Sequence, residues 1–431
     1  MDASAQTKAM PAGTRVLLPG RAEAKRRVEA RLLEVFHRWG FREIVTPALD
    51  LYDPRAGGEV RDEQTFRLVD RETGGMLALR ADLTPQIARL AGTLFAGHPR
   101  PLRLCYVTNV FRHAYASGVL QREFWQAGVE LIGLVSLEAD VEMIAIAVEC
   151  LRCNGVDRLK MSLSHTAYLR GLMEGLGLEG GRRAEVLEAL ARRDVTGLEG
   201  LLRGLRSRNG SARALLALPE MFGGKEVLAR AARRVKNRTS LRALAELRQV
   251  QEMLELYGLA DRVLFDLSDF RDFDYYTGVI FEGFVEGAGY PVCGGGRYDR
   301  LLGRYGTDGL GTGFAVDLDQ LLAAAPGEGG EAGGADFLVI DFTREKRAGI
   351  TLARGLRERG WRVARDIIRR DLNASLEYAR ETGVSRCLVV DRAGGGAGRV
   401  RMVDPAGREL GRFAVEEAAA RIGRPEGEGG E

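Results

Sequence analysis

An α+β fold is the class the sequence predicts for residues 1–325, with an antiparallel sheet, flanking helices and a helical insert at about 165–258. Residues 336–423 read as a separate, small α/β domain. Three observations carry this. Antiparallel-type strand runs in 41–325 are linked by hairpin signals and helices. Leu, Ala, Arg and Glu dominate from roughly 165 to 258. Beyond "PGEGGEAGGA" (326–335), strand and helix patterns alternate, which implies a mostly parallel sheet.

In chain order, Val28, Leu32, Val35, Phe36 and Trp39 recur at helical spacing and Gly40 supplies a stop, so 21–39 is a helix. "FREIVTP" is a strand closed by Pro47, and "FRLVD" and "MLALR" flank "RETGG" as a hairpin. "DLTPQIARLAGTLF" is a helix, with Thr84 as N-cap and Pro85 as first residue. "LRLCYVTNVFRH" and "REFWQAGVELIG" are strands, and "LEADVEMIAIAVECLRCNG" is a helix. After the insert come the strand "RVLFDLSDF", the stretch "RDFDYYTGVIFEGF", a glycine-rich turn into a helix in "YPVCGGGRYDRLL", and a strand or tight turn into a helix in "GLGTGFAVDLDQLLAAA". Residues 326–335 form a linker rich in Gly and acids. "DFLVIDF", "WRVARDI" and "RCLVVD" are strands of the last domain, with helices between them, and 424–431 is a disordered tail.

With 45% hydrophobic and 29% charged residues, the composition is that of an ordinary soluble globular protein. Lys and Arg (63) exceed Asp and Glu (60) by 3, too little to demand a nucleic-acid partner. The N-terminus lacks the apolar core of a secretory signal and no run reaches the roughly 18 apolar residues of a membrane span, so a cytoplasmic location is expected. Five scattered cysteines fit a reducing compartment. Cys150 and Cys153 make one CxxC; without a second pair it reads as an accident of a helix end, and no metal or cofactor is expected. Acids interspersed among the arginines of the insert make it a solvated face.

Polar residues collect where strands end. Asp82 and Thr84 stand two apart before a helix, Arg112 lies on a strand, and "RDFDYY" supplies Arg271, Tyr275 and Tyr276. Gln126 and Glu130 are four apart, so on an extended strand they share a face. Singly, each has a bland role: the tyrosines as sheet aromatics, Arg112 as a buried ion-pair partner, Asp82 and Thr84 as caps.

Together, these segments resemble the class II histidyl-tRNA synthetase family over nearly the whole chain. "GFREIVTPALD" looks like motif 1, "VTNVFRHAYASGVLQREFWQAGVELIG" like motif 2, and "GTGFAVDLDQLL" like motif 3. "RDFDYYTGVIFEGF" and "GGGRYDRLL" look like the two histidine signatures, and "RVARDIIRRDLNASLEYARETGVSRCLVV" like the anticodon-binding domain. The resemblance implies a histidine pocket. Asp82, Thr84 and Gln126 match positions for the α-ammonium, Glu130 and Tyr276 for the imidazole with Tyr275 beside them, and Arg271 for the carboxylate; Arg112 of motif 2 is counted with the pocket. A zwitterion needs both an acid and a base when buried, and an imidazole is read by one acceptor and one donor.

The ATP positions depart from that family. Ala114 replaces an acid, and Val119 and Leu120 replace a Gly-Arg pair, whereas the one change within the pocket is Asp82, which stands where Glu is usual. Gln320 stands at the place of the motif 3 arginine and Asp317 at that of a glycine. Amino-acid activation builds charge at a phosphate, and each lost cation costs on the order of 10²–10³-fold in rate. A pocket without activation chemistry reads as a sensor. "LRADLTPQIAR", "REFWQAGVELIG" and "FDYYTGVIFEGF" look closer to the non-catalytic paralogues, the regulatory subunits of ATP phosphoribosyltransferase. That resemblance implies a short-form catalytic subunit as partner, L-histidine as effector and self-association as a dimer. The rival readings are a divergent histidyl-tRNA synthetase and an RNA-binding module.

Overall fold

A computed structural model of the chain describes residues 10–53, 62–116, 119–134, 136–178, 180–203, 210–270, 275–306, 309–326, 334–368, 370–391 and 399–424. The chain divides into two compact units, residues 1–17 with 24–329, and 18–23 with 330–431.

The large unit is built on a nine-stranded sheet of order β1-β5-β6-β12-β11-β10-β7-β9-β8. Its strands are β1 Arg42–Glu43, β5 Leu102–Ala116, β6 Val119–Ile132, β7 Leu159–His165, β8 Phe222–Gly223, β9 Val263–Asp266, β10 Val279–Val285, β11 Cys293–Arg297 and β12 Gly311–Asp317. The centre, β5 through β7, is antiparallel as expected. β1 and β9 add parallel pairs to β5 and β7. A three-stranded sheet, β2 Leu49–Leu51, β4 Met76–Leu79 and β3 Arg67–Val69, contains the expected hairpin, with Gly74 at φ 70° in its turn.

Helices α1 Pro19–Arg38 and α3 Leu137–Arg152 cover one sheet face; α2 Thr84–Gly92 and α10 Asp299–Arg304 belong to the other. The insert comprises α4 Thr166–Glu174, α5 Gly180–Ala191, α6 Val195–Leu202, α7 Ser211–Leu216, α8 Glu226–Ala232 and α9 Arg238–Leu256. It shares the main core: Leu244, Leu247, Val250 and Leu254 of α9 cluster with Val148, Leu151 and Met161. Its first helix springs directly from β7, a strand the sequence reading missed. β7 reads LKMSLSH, apolar and polar by turns, and that alternation was its signal; six of its seven residues are buried because the fold covers both of its faces. α11 Leu318–Ala324 follows β12.

Two expectations are corrected. "CGGGR" is strand β11, not a turn. Its glycines serve close approach: a Cβ on Gly295 would lie 2.1 Å from the Gly313 carbonyl oxygen on β12. The strand expected over "FREIVTP" shrinks to two residues.

In the small unit, β14 Val363–Arg365, β13 Phe337–Asp341 and β15 Arg386–Val390 run parallel, with α12 Arg347–Arg357 and α13 Leu372–Glu381 packed on opposite faces. Two antiparallel strands, β16 Arg399–Val403 and β17 Glu409–Ala414, and helix α14 Val415–Ile422 extend it beyond the sequence reading. Most of the 326–335 linker and the tail from 425 lie outside the described residues.

Candidate functional site

Strand periodicity places Gln126, Gly128 and Glu130 on one face of β6, and the register fixes their neighbours. Glu130 lies opposite Leu104 of β5 and Gly313 of β12; Gln126 lies opposite Thr108 and Asp317. Glu130 is 1% exposed. Its Oε1 accepts the Thr84 hydroxyl at 2.6 Å and its Oε2 accepts the Tyr298 hydroxyl. A Cβ on Gly313 would meet Oε2 at 2.1 Å, so this glycine makes room for the carboxylate across β12.

Thr84 is not the N-cap expected. It is the first residue of α2, Leu83 occupies the cap without a side-chain bond, and the Thr84 hydroxyl is spent on Glu130 instead. Leu83, Ile87, Ala88 and Ala91 seat the helix on an apolar cluster with Leu104, Tyr106, Val110, Phe124, Tyr276 and Tyr298. Arg80 ties the chain before α2 to β5. Its guanidinium donates to the carbonyls of Asn109 and Thr46, each at 2.8 Å, to Asn109 Oδ1 at 2.9 Å, and to the Thr108 hydroxyl. Asp82 Oδ1 accepts the Thr84 N–H at 3.4 Å.

The tyrosines close the site. Tyr275 stacks on Tyr298 at 5.8 Å and 13° and meets Tyr276 edge-on at 4.7 Å. Burial, then the Asp82 charge, pushes the Tyr275 phenol well up; burial and Glu130 do the same to Tyr298. Both phenols therefore stay protonated donors at neutral pH. Backbone bonds hold their segment: Thr166 N–H donates to the Gly278 carbonyl at 3.0 Å and Thr277 N–H to the Arg297 carbonyl at 2.7 Å. Arg297 in turn grips Asp140 of α3 at 2.6 and 3.3 Å. His165 caps α4. Its Nδ1 accepts the Ala167 N–H at 3.1 Å, so the proton sits on Nε2 and is donated to Glu246 at 2.9 Å. That bond and Arg242 pull the Glu246 carboxyl down to about 2.

Of the sequence-derived residues, Thr84, Glu130, Tyr275 and Tyr276 meet around one buried carboxylate, with Asp82 beside them. Gln126 shares the face one end along. Arg112 lies over the Phe124 ring at 4.7 Å. Arg271 lies outside the described residues, as do the side chains of Ala114 and Val119. Tyr298, a further residue of the site, lies in "GGGRYD", and that motif is its signal in the sequence. Asp317 caps α11, its Oδ1 accepting the Asp319 and Gln320 N–H groups at 2.8 and 3.0 Å. Burial raises its carboxyl to about 6, against Arg112 and those two bonds. Cys153 is the C-cap of α3, and burial pushes its thiol to about 11. Among the described residues no cluster of three or more His, Cys, Asp or Glu could hold a metal ion, and no helix is long and apolar enough to cross a membrane. The small unit has a crevice at the carboxyl ends of β13 and β14, where Arg344, Arg365 and Arg370 alternate with Asp341, Glu345 and Asp366.

A family model described as histidyl-tRNA synthetase matches residues 13–321. The ATP phosphoribosyltransferase regulatory subunit of Syntrophotalea carbinolica is 41% identical over 96% of this chain and 97% of its own. That of Geobacter metallireducens is 42% identical over 88% and 89%. A solved ATP phosphoribosyltransferase regulatory subunit/histidyl-tRNA synthetase from Bacillus halodurans C superposes with a TM-score of 0.76 at 33% identity, covering 86% of this chain and 96% of its own. Histidyl-tRNA synthetase from Nostoc sp. PCC 7120, at 20% identity and a TM-score of 0.73, shares the fold. The chain belongs to the ATP phosphoribosyltransferase regulatory subunit family, on a histidyl-tRNA synthetase-like fold.

Proposed function

We propose that this chain is a non-catalytic histidine sensor that activates a short-form ATP phosphoribosyltransferase subunit and transmits feedback from histidine. The observation that carries the pocket is Glu130: a buried carboxylate, steadied by Thr84 and Tyr298, beneath Tyr275 and Tyr276. A carboxylate fixed by two hydroxyls is an acceptor for one imidazole N–H, and protonated phenols nearby are donors for the other nitrogen. Asp82, Thr84 and Gln126 would take the α-ammonium, and Arg271 and Arg112 would face the carboxylate end.

A sensing role needs histidine to prefer one of two states by about 1–3 kcal/mol. Absence of activation chemistry draws support from Asp317, a half-buried acid on the same sheet face, which would repel a triphosphate. Self-association as a dimer draws support from the small sheet. Leu49, Leu51, Leu68, Leu77 and Leu79 share one face by register, and the first three are 50%, 73% and 43% exposed. Five free thiols suit a reducing cytoplasm.

Calorimetric titration with L-histidine tests the pocket; saturable one-site binding is expected, and no heat at millimolar ligand contradicts it. The synthetase rival is favoured by the family match over 13–321. Histidine-dependent ATP–pyrophosphate exchange by the unmodified protein would overturn the non-catalytic reading.

A further inference from the structure

The sheet of the small unit has the order β14-β13-β15-β16-β17, and its parallel strands are joined through α12, from β13 to β14, and α13, from β14 to β15. Leu352, Ala353 and Leu356 seat α12 on one face, and Leu376 and Ala379 seat α13 on the other. The neighbours β13 and β14 therefore send their following connections to opposite faces. Such a reversal opens a crevice outside the carboxyl ends of the two strands, which is where open α/β sheets bind ligands. A crevice of about 1530 Å³ lies there.

Seven basic and five acidic side chains line it. The two acids at the strand ends are spent on the fold. Asp341, 7% exposed, accepts the Thr343 N–H and hydroxyl on Oδ1 at 2.7 and 2.6 Å, and the Gly349 N–H on Oδ2 at 2.8 Å. Asp366 accepts the Ile368 N–H at 3.2 Å and the Ser375 hydroxyl at 2.6 Å. The donors are not spent in the same way. Arg365 of β14 has a buried Nε with no hydrogen-bond partner among the described residues. Arg344, on the loop after β13, and Arg347, in the first turn of α12, are exposed on the rim, as are the acids Glu345 and Glu416. The cap residue of α12 is Lys346, at φ 56°, which offers no acceptor and turns its ammonium to the Asp341 carbonyl. Asp341 satisfies the Gly349 N–H, and the N–H groups of Arg347 and Ala348 find no acceptor among the described residues.

We propose that this crevice binds the phosphate groups of a small phosphorylated molecule, held by Arg365 from below, by Arg344 and Arg347 from the rim and by the start of α12. A buried guanidinium N–H without an acceptor is costly, and a phosphate oxygen is the acceptor that suits it. The open N–H groups and positive dipole end of α12 favour the same charge. Strand-order reversal, the unsatisfied Arg365 donor and the uncapped helix start all belong to one crevice. The site is separate from the Glu130 pocket, which belongs to the other compact unit, and does not depend on how that pocket is read.

The test is calorimetric titration of the full chain with inorganic pyrophosphate at constant ionic strength, on the wild type, on Arg365→Met and on the double variant Arg344→Ser with Arg347→Ser. The wild type should bind saturably with a Kd below about 1 mM, and affinity should fall about tenfold or more in each variant, as for lost charged hydrogen bonds. No saturable binding by the wild type, or equal affinity in all three proteins, overturns the proposal. Unfractionated tRNA is the second probe, because a long polyanion is drawn to the same cations. Micromolar tRNA binding that falls in the variants, with no saturable pyrophosphate binding, assigns the crevice to RNA and likewise overturns the small-molecule site. Should Arg365→Met fail to fold, the double variant, whose changes are on exposed side chains, decides.

Discussion

Replacing Asp317 by Asn should stabilise the large unit at neutral pH, and the size follows from the site. The Asp317 carboxyl titrates near 6 in the folded chain against an ordinary 3.8, raised chiefly by burial. The difference of about two units corresponds to about 3 kcal/mol. The sign follows from proton counting. Between about 3.8 and 6 the folded state holds more protons than the unfolded state, so this group lowers stability as pH rises through that window. Above about 6 the full penalty applies. Asn carries no charge to penalise, and its Oδ1 still accepts from Asp319 and Gln320. The variant should therefore exceed the wild type by up to about 3 kcal/mol at pH 7.5, with the advantage fading towards pH 4. Urea midpoints at several pH values measure it, with the slope checked for constancy. Trp39 and Trp125 lie in the large unit and Trp361 in the small one, so fluorescence in a Trp361→Phe background isolates the signal. A difference that does not vary with pH, or a less stable variant at pH 7.5, refutes the reasoning.

Other outcomes follow from the same geometry. Asp140 is 1% and Arg297 14% exposed at the side chain, so Asp140→Ala should cost about 3–5 kcal/mol by stranding a buried cation, while Asp140→Leu with Arg297→Met should recover most of it; thermal melts compare them. The Glu246 carboxyl is held at about 2 against an ordinary 4.5, so its contribution is complete above about 4.5 and is lost as pH falls towards 2; Glu246→Gln should flatten that acid limb by up to about 3 kcal/mol in acid-unfolding curves. Glu130→Gln and Tyr276→Phe should each weaken histidine binding by about 1–3 kcal/mol by calorimetry, and unchanged affinity in both would remove them from the pocket.

What was legible in the sequence depended on periodicity and motif. Glu130 and Gln126 could be placed on one face because strands alternate strictly. The tyrosines were placed at a strand mouth because Gly278 and the β-branched run after it mark that strand. Thr84 was misread because Ser and Thr before a helix usually cap it; only the fold reveals that Glu130, 46 residues on, takes its hydroxyl. β11 looked like a turn because glycine usually marks one. Here the glycines answer to neighbouring strands, which local sequence does not contain. β17 shows no alternation because it is an edge strand with no buried residue, so its pattern resembles a loop. The tertiary partners of Arg80, Tyr298 and Asp140 lie on distant segments, and no local spacing points to them.

The most direct test of the account is ATP phosphoribosyltransferase turnover by a short-form catalytic subunit, measured with and without this chain while histidine is titrated. Turnover that rises on adding the chain and falls back as histidine saturates is the predicted result. Turnover indifferent to the chain, or activation that histidine leaves untouched, would contradict it.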